Sequence, residues 1–296
     1  MNTADRFHSN LSLKTKALNF FRKPFTAPLL EKILLGMVLK NPPHFLKKVF
    51  PEYYLYKKGT LRYAARQGIN YKLDVSNYLD HYIYWGVADS GYTSILREMK
   101  TADVMLDIGA HIGESALFYA SINSRARIFA FEPHPVSFRR ARVNILLNRF
   151  QNIHLINLGL GERAEILKLY EVNENNSGAN RIMRGENNFP YKEIAADTLD
   201  NLMQERMITK VDFIKIDVEG FEFAVLKGGA ETIIQSKPVM FIELDDNNLK
   251  ENNSCAEEII ELLRSFGYNR IYRADNLMPI ISRQEFSGCH YGIIAK

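Results

Sequence analysis

The sequence predicts an α/β fold, a mostly parallel sheet with helices on both faces, preceded by a basic helical extension. Two observations predict the sheet. From Asp103 onward, short branched and aromatic runs alternate with longer runs of helical period, the pattern of strand–helix–strand units. Glycines and acidic residues stand directly after several of the apolar runs, where open α/β sheets hold their ligands. A third observation predicts the extension. Residues 1–60 hold 11 Lys/Arg against 3 Asp/Glu, whereas residues 61–296 hold 27 against 31.

The extension is assigned to residues 1–67 and the main domain to 68–296. Pro28–Lys40 reads as one helix, with Leu29, Leu30, Ile33, Leu34, Met37 and Val38 on one side; Asn41-Pro42-Pro43 ends it. A second apolar and basic stretch runs from His44 to Lys58. Such pieces can cap a domain, join a dimer or lie on a membrane, a cap or dimer contact being the simpler account. Their charge fits a solvated helical face more simply than nucleic acid or an anionic membrane. Residues 68–75 suggest short strands. Asn77–Trp85 suggests a helix whose Tyr82, Tyr84 and Trp85 fill a core or stack on a sugar ring.

In the main domain the expected strands are Val104–Ile108, Arg127–Phe131, Ile153–Leu158, Asp212–Val218 and Val239–Leu244, with Asn269–Arg273 and Tyr291–Ala295 at the end. Ser115–Ile122, Val136–Leu147, Phe223–Gln235 and Cys255–Phe266 read as helices. Phe138, Val143, Leu146 and Leu147 are the candidate buried face of the second. Glu165–Glu171 reads as one side of a hairpin, and the Asn- and Gly-rich Asn173–Tyr191 as a loop over an acceptor. Asp197 and Asp200 read as helix caps.

The composition is that of an ordinary globular protein, 46% hydrophobic and 24% charged. The two cysteines, Cys255 and Cys289, are too far apart for a zinc motif or a disulfide framework. No run approaches the ~18 apolar residues of a membrane span, and charges in the first twenty residues argue against a secretory signal. A cytoplasmic location is expected.

The first strand of the main domain runs into Asp107-Ile108-Gly109-Ala110-His111-Ile112-Gly113. Gly109 permits a sharp turn and close approach of a ligand, and the Gly113 N–H is expected to face the bound molecule. Gly-x-x-x-Gly lacks the middle glycine of the dinucleotide fingerprint. A carboxylate at Asp107 suits a cationic ligand better than a diphosphate, and S-adenosylmethionine carries an ammonium and a sulfonium. Glu132 closes the second strand 23 residues after Gly109, where an acid accepts hydrogen bonds from ribose hydroxyls. Pro133 stops that strand, and Leu158 and Gly159 end the third, beside the adenine.

These residues resemble the FkbM family of methyltransferases over roughly residues 68–296. The likeness rests on Leu106–Gly113, Phe131-Glu132-Pro133, Asn144–Asn148, Thr198-Leu199-Asp200 and Ile214-Lys215-Ile216-Asp217-Val218-Glu219-Gly220. His111 stands where Asn is more usual. The resemblance implies a Rossmann-like class I methyltransferase fold, S-adenosylmethionine as donor, and a hydroxyl acceptor on a macrolide, a sugar or another small molecule or glycan.

Lys215, Asp217 and Glu219 alternate at the end of the fourth strand, so they converge if the extended geometry persists. Methyl transfer to oxygen needs alignment of the acceptor and removal of its proton. Asp217 is the first candidate base, followed by Glu219 and by Glu243 at the next strand end. A divalent metal such as Mg2+ on these carboxylates is an alternative to a direct base; no dedicated metal site is assigned. A nicotinamide-dependent oxidoreductase and a non-catalytic S-adenosylmethionine-binding protein are the competing readings. Nucleic-acid methylation is disfavoured, because no Asn-Pro-Pro-aromatic motif follows the fourth strand. Peripheral membrane contact through the basic N-terminus and homo-oligomerisation stay open.

Overall fold

The computed structural model describes residues 11–40, 49–87, 101–185, 187–281 and 286–296. Among them the chain forms two compact units. The first takes in the described parts of Met1–Arg66, Tyr71–Ala88 and Glu174–Asn176. It holds α1 (Leu13–Arg22), α2 (Pro28–Lys40), α3 (Tyr78–Trp85) and most of a two-stranded sheet, β1 (Leu61–Arg66) with β2 (Ile69–Asp74). Ser12 caps α1 by accepting from the Thr15 amide at 3.1 Å. Of the six apolar residues expected on the buried side of α2, only Leu34 and Val38 are buried; Leu29, Leu30, Ile33 and Met37 are exposed. The reason is Glu31. Its buried carboxylate accepts from Arg62 at 2.7 and 3.1 Å and from the Tyr84 hydroxyl at 2.6 Å, which turns that edge of the helix inward. Trp85 is fully buried and stacks on Phe50 at 5.1 Å, so Trp85 and Tyr84 are core residues. Part of the second apolar stretch lies outside the described residues; Tyr53–Leu55 within it forms a short 3-10 turn.

The second unit takes in the described parts of Gln67–Asn70, Asp89–Asn173 and Ser177–Lys296. Its main sheet contains β3 (Val104–Ile108), β4 (Arg127–Phe131), β5 (Ile153–Ile156), β10 (Phe213–Ile216), β11 (Val239–Asp245), β12 (Ile271–Arg273) and β13 (His290–Ala295), in the order β12-β13-β11-β10-β3-β4-β5. The five strands from β11 to β5 are parallel, and β13 runs antiparallel to β11 and β12. The order reverses between β3 and β10, where this architecture opens its crevice.

The helices of this unit are α4 (Glu114–Ile122), α5 (Pro135–Asn148), α6 (Leu199–Glu205), α7 (Glu222–Gly228), α8 (Ala230–Ser236), α9 (Asp246–Glu251) and α10 (Ala256–Ser265). Leu106, Phe129, Ile214 and Met240 join residues of α6, α7, α8 and α10 in one core. The alternate residues Met105, Ile128, Ala130 and Phe213 are also fully buried, as expected of a sheet covered on both faces. A smaller sheet, β6-β9-β7-β8, is formed by β6 (Gly159–Leu160), β7 (Glu165–Tyr170), β8 (Arg181–Ile182) and β9 (Tyr191–Asp197).

Three local expectations change. α5 buries Ser137, Ala141, Asn144 and Ile145 and leaves Val143, Leu146 and Leu147 exposed. Small residues on the buried stripe let the helix lie close: a Cβ on Gly113 would meet that of Ala141 at 3.6 Å. The single helix expected over Phe223–Gln235 breaks into α7 and α8, where a Cβ on Gly228 would stand 1.9 Å from the Gly161 carbonyl oxygen. Asp200 caps α8, accepting from the amides of Glu231 and Thr232, whereas Thr198 caps α6.

Candidate functional site

The turn after β3 is fixed by its own amides. Those of Gly109 and Ala110 donate to the Phe131 carbonyl at 3.1 and 2.9 Å, and that of His111 to the Glu132 carboxylate at 2.8 Å. The Gly113 amide closes onto the Ala110 carbonyl at 2.7 Å instead of facing outward. Gly109, at φ +84°, lies against β10: a Cβ there would be 1.8 Å from the Asp217 carbonyl oxygen. His111 adopts φ +48°, a left-handed conformation that suits Asn. Its Nε2 pairs with Ser177 Oγ at 2.8 Å, and burial pushes its pKa down to about 3, leaving the ring neutral. Asn144 donates to the Ile112 carbonyl at 3.1 Å and so ties α5 to the turn.

Glu132 is buried at the end of β4, and burial pushes its pKa up to about 7 against the opposing His134 and His111 amides. The Pro133 and Glu132 carbonyls accept from Asn157 Nδ2 at 3.0 and 2.8 Å. Leu158 is half-buried against the main core, and buried Gly159 begins β6, where a Cβ would meet Ile194 at 3.2 Å.

Asp107 stands apart from the open side of the turn. It is fully buried, accepts from the Ala116 amide at 3.1 Å and faces Lys215 Nζ at 3.4 Å. Asp107 and Lys215 are register partners on β3 and β10. Lys215, itself buried, also donates to the Gly109 carbonyl at 3.2 Å and pairs with Asp217 at 3.1 Å. One ammonium thus joins both strand ends.

The extended geometry stops after Asp217, because Glu219 and Gly220 both take positive φ, +55° and +101°. The carboxylates of Asp217, Glu219 and Glu243 nevertheless converge, each offering an oxygen within 4.8 Å of the others. Such a triad could hold a divalent cation or share protons. Burial opposes charge on Asp217, but Lys215 and a hydrogen bond from Glu243 outweigh it and hold its carboxyl below the usual range. The Asp217 charge, then burial, push Glu243 up. Burial, with Asp217 and Glu243, pushes Glu219 up to about 9. The arrangement favours an ionised Asp217 between neutral neighbours, a coupled set.

Three further residues complete the corner. Glu222 accepts from the amides of Val218 and Gly220 at 3.1 Å each, the capping role that Asp217 does not take. Glu222 is the first residue of α7, and an acid in the first turn of a helix is a recognisable start signal. Asn248 donates to Glu219 at 2.8 Å. His290 places Nε2 at 3.3 Å from Glu243 and Nδ1 at 3.5 Å from Asp245. It comes there only because β13 runs antiparallel to β11, pairing His290 with Asp245, a long-range relation with no local signal. Of the segment expected over the acceptor, Ser177 reaches His111, and Arg181 pairs with Glu251 at 2.7 and 3.1 Å.

A methyltransferase FkbM domain model matches residues 107–270. The 2-O-methyltransferase NoeI of Sinorhizobium fredii is 26% identical over 181 residues, 56% of this chain and 73% of NoeI. The hexuronic acid methyltransferase AglP of Haloferax volcanii is 28% identical over 151 residues, 51% of this chain and 59% of AglP. A solved structure of methyltransferase FkbM from Methylobacillus flagellatus KT aligns with a TM-score of 0.42 and 18% identity, covering 66% of this chain and 44% of that one.

Proposed function

Since this chain belongs to the FkbM methyltransferase family, we propose that it moves a methyl group from S-adenosylmethionine to a hydroxyl of a sugar or other polyhydroxylated small molecule. The observation that carries this reading is the contact of two strand ends at the switch point: the turn at Gly109 lies directly on Asp217, which opens the carboxylate corner. This contact supports donor binding and proton transfer at adjacent strand ends. The names of NoeI and AglP, a 2-O-methyltransferase and a hexuronic acid methyltransferase, support a carbohydrate-like acceptor.

The residues fit the donor. Glu132 accepts from the amides of His111 and His134, which leaves about two of a carboxylate's roughly four acceptor positions for ribose hydroxyls. The turn amides of Gly109, Ala110, His111 and Gly113 already have protein acceptors. The site thus offers mainly acceptors, suited to a cationic ligand and unsuited to a diphosphate. This disfavours a nicotinamide cofactor. When bound, S-adenosylmethionine supplies a methyl group on a good leaving group.

The chain's part is alignment and proton removal. Asp217, ionised and oriented by Lys215, accepts the acceptor's hydroxyl hydrogen bond. Glu243, once deprotonated, takes the proton through Asp217, and exposed His290 passes it to solvent. Lys215 is enclosed by Asp107, Asp217 and Gly109, so it positions the turn and Asp217 and does not touch the acceptor. The carboxylate corner favours an enzyme over a binding-only protein.

A screen of glycans and small polyols with radiolabelled S-adenosylmethionine tests the reading, with calorimetry against S-adenosylmethionine and NAD beside it. Transfer of label to a hydroxyl is the expected result. Binding of NAD without S-adenosylmethionine would falsify it.

A further inference from the structure

The helices of the first unit present a surface that the methyltransferase reading does not use. Phe20, Phe21, Leu29, Ile33 and Met37 are each more than half exposed. On α2, residues 29, 33 and 37 recur every fourth position, so they share one stripe, beside the inward edge of Glu31, Leu34 and Val38. α2 therefore has apolar surface on two sides, and one of them has no cover among the described residues.

The exposed charges of residues 11–40, on the two helices and the turn between them, are all positive. Lys14, Lys16, Lys23, Lys32 and Lys40 are exposed. The single acid of residues 11–40, Glu31, is buried against Arg62, and Arg22 is buried against Glu52. Apolar side chains and uncompensated lysines on one helical pair match an anionic bilayer surface, where the apolar groups enter the headgroup boundary and the lysines meet lipid phosphates. They do not suit a two-fold contact with a second copy. That contact would set the same patch against itself, bringing lysines together with no exposed acid of these helices to pair them.

We propose that α1 and α2 form a docking surface for an anionic lipid bilayer, holding the enzyme at a membrane. No helix among the described residues is long and apolar enough to cross one, so the contact is peripheral and reversible. Membrane residence would favour acceptors presented at a lipid surface.

Flotation of the full chain with vesicles of phosphatidylcholine, with and without phosphatidylglycerol, tests this. Binding is expected only with phosphatidylglycerol and should weaken as salt rises. Lys16→Glu with Lys23→Glu should lower partition about tenfold or more, and Phe21→Ser with Ile33→Ser should lower it comparably. Both pairs are exposed, and circular dichroism checks that the variants keep their fold. Failure to float with phosphatidylglycerol, or flotation that neither double variant reduces, overturns the proposal. So does a dimer in light scattering that Phe21→Ser with Ile33→Ser dissociates, because the face then belongs to a second copy. Donor binding by calorimetry reads the methyltransferase function separately.

Discussion

Gly109 and Asp217 meet backbone to backbone: a single added carbon on Gly109 would lie 1.8 Å from the Asp217 carbonyl oxygen. No side chain can swing away to relieve that contact. Gly109→Ala must separate the ends of β3 and β10, in addition to about 1–2 kcal/mol for a non-glycine residue in the left-handed region. We expect a lower melting temperature and at least a tenfold loss of donor affinity by calorimetry. Gly113→Ala is the control. Gly113 also has positive φ, +87°, but its added carbon meets only ordinary contacts, the nearest at 3.6 Å, so it should show the conformational penalty alone.

Among the described residues, Lys215 is the cation that lies between Asp107 and Asp217. Lys215→Met leaves the buried Asp107 carboxylate without its cation, a change worth about 3–5 kcal/mol, and removes the partner of the partly exposed Asp217. Urea denaturation near neutral pH should show that loss. The Asp217 carboxyl is held low in the native protein, so its contribution to stability is present above its ordinary pKa and disappears as pH falls through the lowered value. The gap between wild type and variant should therefore narrow in acid. A constant gap from neutral to strongly acidic pH would remove the ion pairs as the cause.

Asp217→Asn should keep donor affinity and lose about 100-fold or more in turnover, the usual range for removing a positioned proton acceptor. Glu243→Gln separates the two carboxylates further. Glutamine can still donate to Asp217 but cannot lose a proton. Because the Asp217 charge and burial raise the Glu243 pKa, the wild-type rate should climb as pH rises above neutral, and the variant should lack that limb. With protons relieving the carboxylate crowding, turnover should also be indifferent to EDTA. Loss of turnover in EDTA, restored by Mg2+, would assign the cluster to a cation.

The sheet was legible because strands buried on both faces read as continuous apolar runs, as in Met105-Leu106 and Phe213-Ile214. The turn and the carboxylates were legible because they follow those strands directly. What sequence did not expose depended on distant partners. The Asp107 carboxylate reads in sequence as a ligand group, whereas Lys215, its neighbour across β3 and β10, faces it in the buried interior. The buried edge of α2 follows Glu31, which its apolar count hid, and Arg62 and Tyr84 come from later in the chain. His290 reaches Glu243 through an antiparallel pairing 47 residues away.

Glu219 gives the sharpest pH prediction. Its folded pKa is pushed up to about 9 from an ordinary 4.5, so between those values the native state binds a proton that the unfolded chain lacks. Its stabilising contribution is complete below about pH 4.5 and is lost as pH rises through about 9. Glu219→Gln retains the oxygen that accepts from Asn248 and removes the titration. The stability difference, variant minus wild type, should then grow more positive with rising pH across this window, measured by urea melts at matched ionic strength. Glu132, pushed up to about 7 mainly by burial, gives both proteins a common downward slope that cancels in the difference. A difference that stays flat from pH 5 to 9 would place Glu219 in a solvated environment and take it out of the carboxylate corner.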